Sequence, residues 1–136
     1  MAGMSEARHQ SYVIKWSQQP SIRQQWPELS LLHHIPNGGT RDPVEAKHLK
    51  QQGVKPGVPD LCLPVARGRY HGLYIEMKTE DGHTTSDQEW WGEKLSAQGY
   101  AWKVCHGWEA AVSILEWYLS LQIWRPTPPD RVLYVN

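Results

Sequence analysis

Three features of the sequence predict a mixed α/β domain with helices packed on one small sheet. Segments of helical period alternate with short apolar runs, in the order helix, strand, helix, strand, strand, helix, strand, helix. Capping residues and glycines punctuate those segments. The 136 residues suit one domain and fall short of two, with a hydrophobic share of 40% and a charged share of 21% that are ordinary for a globular protein.

Residues 6–17 read as the first helix, with Tyr12 and Trp16 four apart and Val13 and Ile14 beside them. Pro20 and Pro27 interrupt the next stretch of chain. Residues 29–35 form an apolar run expected to be a strand, stopped by Pro36-Asn37-Gly38-Gly39. Asp42 as N-cap, Pro43 at the first helical position and Gly53 as a stop frame a second helix. Lys55-Pro56-Gly57-Val58-Pro59 is too rich in Pro and Gly for regular structure. Two strands come next, residues 60–65 and 73–78, joined through Arg67-Gly68-Arg69-Tyr70 with the spacing of an antiparallel hairpin. Thr85 and Ser86 each stand three residues before Gln88 and Glu89, a doubled capping-box signal for a helix that Gly99 ends. Residues 100–105 are expected to be a strand and 108–123 a long closing helix. The expected domain covers residues 1–125, and Pro126, Pro128 and Pro129 make 126–136 an extended tail.

Composition narrows the function classes. Met1-Ala2-Gly3-Met4 has no basic region followed by an apolar run, so no signal peptide is expected, and no stretch approaches the roughly 20 apolar residues of a membrane span. Cys62 and Cys105 are too few and too distant for a disulfide framework; both read as buried thiols in a reducing cytoplasm. Net charge is zero, but residues 1–75 carry nine Lys/Arg against five Asp/Glu and residues 76–136 the reverse excess, five against nine. The basic segment from Arg41 through Lys47, Lys50, Lys55 and Arg67 to Arg69 is either a surface for a polyanion or a set of solvated charges. Eight Trp and no Phe have no physical explanation here.

The chemistry gathers around one hairpin. Asp60 opens a strand just after the Pro-rich bend, and Glu76-Met77-Lys78 ends the neighbouring one. Strand side chains alternate, so Leu73, Ile75 and Met77 share one face while Tyr74, Glu76 and Lys78 share the other. Pairing as a hairpin brings Asp60 beside Glu76 and Lys78 at the sheet's edge. Two carboxylates that close repel, and either share a proton or hold a cation. Hard oxygen ligands suit Mg²⁺ or Mn²⁺. A lysine beside such an ion orients the attacking water and steadies charge developing on a phosphate. In outline this is a site for phosphodiester hydrolysis.

The triplet acid-x-Lys by itself means little. Glu45-Ala46-Lys47 has the same spelling but lies in an expected helix, where its two charges point to different sides. What distinguishes Glu76-Met77-Lys78 is strand parity and the bend at Pro59-Asp60; the plain alternative is an exposed ion pair on an edge strand. Asn37-Gly38-Gly39-Thr40-Arg41 is either a turn before a helix or a phosphate contact, with glycine N–H groups and the Arg41 guanidinium as donors. Arg67 and Arg69 sit in the hairpin loop, where they reach a duplex backbone or simply face solvent. Of His33 and His34, adjacent on a strand, at most one can face the site; the other histidines show no zinc-ligand spacing.

These motifs, in order, carry a family resemblance. Pro36-Asn37-Gly38-Gly39-x-Arg41, Gly57-Val58-Pro59-Asp60-Leu61, Gly72-Leu73-Tyr74-Ile75-Glu76-Met77-Lys78 and Gln88 together resemble the VRR-NUC domain of the PD-(D/E)xK nuclease superfamily. The chain looks like one of its small stand-alone members, found in phages and prophages, with the resemblance running over roughly residues 5–118. The Val-Arg-Arg feature behind the family's name is not present as such.

The resemblance implies a restriction-endonuclease-like mixed sheet flanked by helices. It also implies a divalent-metal-dependent deoxyribonuclease, structure-selective in the manner of Holliday-junction resolvases. Asp60 and Glu76 match the metal-binding carboxylates, the Met77 backbone carbonyl a further ligand, and Lys78 the superfamily lysine. Glu6 and Gln10, four apart on the first helix, match an acid and a glutamine, with Glu6 completing the acidic cluster directly or through water. Gln88 matches the glutamine after the catalytic strand; it is also the reciprocal member of a Thr85 capping box. Asn37, Gly38, Gly39, Arg41, Lys55, Arg67 and Arg69 are the expected nucleic-acid contacts. The expected partners are branched or duplex DNA and a second copy of the chain, and the expected location is the cytoplasm of a bacterial or phage-infected cell. The competing expectation is a non-catalytic nucleic-acid-binding domain with the same fold.

Overall fold

The computed structural model describes residues 3–37 and 41–124. Helix α1 (Glu6–Gln18) starts at Ser5, whose hydroxyl accepts a hydrogen bond from the Arg8 N–H. That start sets Glu6 in the first turn, where the positive end of the helix favours a carboxylate. Helix α2 (Pro20–Gln25) and a 3₁₀ helix (Pro27–Leu31) each open on a proline at the first position.

Here the structure corrects the expected strand over residues 29–35. Pro27 nucleates a turn that drops Leu29 into the core, and the paired strand is confined to β1 (His33–His34). A short apolar run without a clear period serves either state. Helix α3 (Pro43–Gln51) begins where expected, the Asp42 carboxylate accepting from the Val44 and Glu45 N–H groups.

The sheet has the order β1-β2-β3-β4, with β2 at Leu61–Leu63, β3 at Leu73–Lys78 and β4 at Ala101–His106. The first two pairings are antiparallel and β3 with β4 is parallel, which requires a crossover; α4 (Ser86–Ala97) provides it. Helix α5 (Trp108–Leu119) closes the domain. Leu61, Leu73, Ile75, Met77, Ala101 and Cys105 on one face of the sheet meet Val13 of α1 and Ala111, Leu115 and Tyr118 of α5 in the core. Helix α4 covers the other face. Gly92 permits that approach, because a Cβ there would stand 2.3 Å from the Trp102 ring.

Strand β2 is shorter than expected, and the chain between β2 and β3 folds into its own narrow hairpin in which Arg67 and Tyr70 exchange backbone hydrogen bonds. Helix α5 ends before the expected residue 123, and the expected tail over 126–136 lies outside the described residues. Among the described residues no helix is long and apolar enough to cross a membrane.

Candidate active site

The alternation of β3 puts Glu76 and Lys78 on the face away from Leu73, Ile75 and Met77, as the sequence requires. Both are buried, Glu76 to 2% and Lys78 to 5% exposure. Leu61 pairs with Ile75, so Asp60 falls one step beyond the β2 ladder, level with the end of β3. There its Oδ2 accepts a 2.7 Å hydrogen bond from the Met77 N–H. A strand residue turns its N–H and C=O to the same neighbour. The Met77 carbonyl is therefore turned toward the side where β2 has ended and the Asp60 carboxylate lies.

The bend that delivers Asp60 is held from α4. Trp91 donates its indole N–H to the Pro56 carbonyl at 3.1 Å. Gly57 has φ +87°, a conformation that suits glycine, and a Cβ there would stand 2.7 Å from the Asp87 backbone. The Pro-Gly segment thus lies flat on the first turn of α4 and sends Val58-Pro59-Asp60 back into the sheet.

The same helix sends Gln88 to the site. Thr85 and Gln88 form the expected capping box, the Thr85 N–H donating to Gln88 Oε1 at 2.9 Å and the Gln88 N–H to Thr85 Oγ1 at 3.2 Å. With Oε1 fixed by the cap, Nε2 points inward and donates to Glu76 Oε2 at 3.3 Å. Both readings of Gln88 hold at once, because a primary amide has two ends.

Glu6 reaches the cluster through Lys78, its Oε1 standing 4.0 Å from the ammonium. His9, one turn later, ties α1 to the start of α5 by accepting the Trp108 N–H on Nδ1 at 3.1 Å. Gln10 is half-buried on the same helix, and no hydrogen bond among the described residues joins it to Asp60, Glu76 or Lys78.

The electrostatics follow from this crowding. Burial, then a hydrogen bond shared with the Asp60 side chain and the charge of that carboxylate, push the Glu76 carboxyl up to about 9, with Lys78 pulling it down and Glu6 adding to the rise. Glu76 Oε1 is buried with no hydrogen-bond partner. An orphaned carboxylate oxygen, a second carboxylate beside it and a carbonyl turned the same way form an all-oxygen donor set that fits Mg²⁺ or Mn²⁺. Among the described residues no three His, Cys, Asp or Glu side chains gather as a metal site, so the donor set here is two carboxylates and a carbonyl, and Glu6 stands on Lys78 instead of completing a third carboxylate ligand. A neighbouring cleft of about 930 Å³, lined by Ser5, His9, Thr79, Glu80, His106 and Trp108, is not lined by Asp60, Glu76 or Gln88.

The expected nucleic-acid contacts divide. Arg41 and Lys55 are exposed, Lys55 on the loop that leads to Asp60, and Asn37 is described, whereas Gly38 and Gly39 lie outside the described residues. Arg67 overturns the expectation of a solvated loop tip. It is 7% exposed, donates to the Ala66 carbonyl at 2.8 Å and pairs with Glu28 at 3.6 Å, so it has no free guanidinium to offer a duplex. Arg69 is exposed, but its hairpin precedes Leu73, and β3 separates it from Lys78 by roughly 16 Å. The sequence reading also missed Gly57, His9 and Trp91 as supports. Only Gly57, inside a Pro-Gly-Val-Pro run, left a local signal.

Two comparisons identify the family and the fold. The model of the VRR-NUC domain matches residues 4–109. A solved structure described as a VRR_NUC domain protein is 34% identical, with a TM-score of 0.75 over 90% of this chain and 94% of that one. No curated protein matches the chain. With most of its length matched in sequence and fold, the chain belongs to the VRR-NUC family of nuclease domains.

Proposed function

We propose that this chain is a Mg²⁺- or Mn²⁺-dependent deoxyribonuclease that cleaves phosphodiester bonds in branched DNA, four-way junctions included, as a homodimer. The observation that carries the reading is the buried, unpartnered Glu76 Oε1 beside the Asp60 carboxylate, at the end of a strand that also buries Lys78. Left alone, that arrangement only costs stability; a divalent cation gives it a use. Asp60, Glu76 and the Met77 carbonyl would hold the ion, which supplies Lewis-acid activation of water and phosphate. Lys78 donates to the water or to a phosphate oxygen as negative charge develops there, and Glu6 keeps its ammonium oriented. Gln88 fixes the Glu76 carboxylate from the cap of α4. Asn37, the neighbouring glycines, Arg41 and Lys55 supply backbone contacts. Two copies related by a two-fold axis present two such sites to two strands.

The test is metal-dependent nicking of four-way and plain duplex DNA by wild type, Lys78→Ala and Asp60→Asn. Wild type should cleave with Mg²⁺ or Mn²⁺ and prefer the junction. Each substitution should lower the rate by at least about two orders of magnitude, as loss of a charge-stabilising group does elsewhere. Equal rates in all three would overturn the catalytic assignment. Tight DNA binding without cleavage in any metal would favour a non-catalytic binding domain.

A further inference from the structure

Asp60 is held from two strands at once. Its carboxylate accepts the Met77 N–H of β3, while its backbone carbonyl accepts two bonds from the other side, the Ile35 N–H at 2.8 Å and His34 Nδ1 at 2.8 Å. A carbonyl only accepts, so Nδ1 of His34 carries the proton whenever this bond exists. The ladder is thin here: β1 has two residues, paired as His33 with Cys62 and His34 with Leu61. Beyond Leu61 the chain turns into the Pro59 bend. The His34 side chain therefore adds a link at the point where the sheet stops guiding the residue that carries the carboxylate. His33, by contrast, turns its Nδ1 to Leu31 in its own segment at 2.9 Å.

We infer that His34 is a positioning residue for Asp60, clamping its peptide so that the carboxylate stays on the Met77 N–H; this rests on the nuclease reading above. Loss of the clamp lets the peptide rock about the bend, and the carboxylate loses its register with Glu76. Asparagine is the informative replacement, because its Nδ2–H₂ lies where the imidazole Nδ1–H does.

The experiment compares His34→Ala, His34→Asn and His33→Ala in the full chain. Readouts are kcat and KM for Mn²⁺-dependent cleavage and amide exchange at Met77 in the metal-free protein. His34→Ala should lower kcat about two- to tenfold, the reach of one net hydrogen bond, leave KM unchanged and speed Met77 exchange by a similar factor. His34→Asn should restore both, and His33→Ala should match wild type in both. Wild-type behaviour of His34→Ala, or a His34→Asn defect as deep as that of His34→Ala, would overturn the assignment. If wild type shows no metal-dependent cleavage, the nuclease reading fails, and Met77 exchange across the same variants still decides whether His34 positions Asp60.

Discussion

Before the start of β3 the fold buries a cation next to an anion; at the strand's end it buries a carboxyl next to another carboxylate. Arg67 has Glu28 and the Ala66 carbonyl around it, and only its Nε lacks a partner. Nearby, the buried Tyr118 hydroxyl donates to the Val65 carbonyl at 2.6 Å, closing that end of the domain. Glu76 has instead an orphaned Oε1, a carboxyl driven up by burial and by Asp60, and only partial relief from Lys78. The first arrangement pairs opposite charges and serves folding, with one guanidinium N–H left over. The second is destabilising until something positive arrives, which separates a ligand site from a structural pair.

Replacing Glu76 by Gln should show that difference most strongly. Metal-dependent cleavage should fall by at least about two orders of magnitude, and Mn²⁺ affinity measured by calorimetry should collapse with it. The metal-free variant should nevertheless melt higher than wild type. Glu76 has a folded-state value above its unfolded one, so its favourable contribution is complete below about 4.5, declines as pH rises, and is lost by about 9. The Tm gap between Glu76→Gln and wild type should therefore widen across that window and narrow again when Mn²⁺ is added to wild type. A variant less stable than wild type at pH 8 would mean that the carboxylate is satisfied and the contrast between the two ends is false.

Gly57→Ala probes the support under the charged end. A side chain at φ +87° is strained and meets the Asp87 backbone at 2.7 Å, so either the bend or α4 must move. A stability loss of about 2–4 kcal/mol in denaturant melts is expected, with cleavage per folded molecule also reduced. Arg67→Met at the opposite end should cost less, about 1–2 kcal/mol, because Glu28 is a third exposed and is not left as a buried orphan. Its cleavage per folded molecule should be unchanged. A loss of activity in Arg67→Met with stability intact would return that residue to the DNA interface.

The charged end was far more legible in the sequence than the structural one. Strand period alone put Glu76 and Lys78 on one face, and the hairpin put Asp60 beside them, because both depend on residues close in the chain. Asp42 and Thr85 announced their helices through bonds spanning two or three residues. What escaped depends on distant partners. Nothing near Arg67 shows that Glu28 will meet it, so a buried pair reads as a loop tip. The His9 bond to Trp108 joins the two ends of the domain, and His34 gains its meaning only when β1 docks beside Asp60. The apolar run over residues 29–35 failed for another reason: burying Leu29 satisfies a 3₁₀ turn as well as a strand.

Gln88 offers the finest division, since one side chain serves the fold and the site through different atoms. Thr85→Ala removes the hydroxyl that accepts the Gln88 N–H but leaves the Thr85 N–H to hold Gln88 Oε1. It should cost about 1 kcal/mol, the usual value of an N-cap, with kcat close to wild type. Gln88→Met loses the reciprocal cap bond and the Nε2 contact to Glu76 together, so it should show a comparable stability loss and in addition a kcat lowered several-fold, about the reach of one net hydrogen bond. Melts and single-turnover rates on the two variants separate the contributions. Equal kcat values in Thr85→Ala and Gln88→Met would confine Gln88 to capping α4, and the inward amide would then be a consequence of the cap and no part of the site.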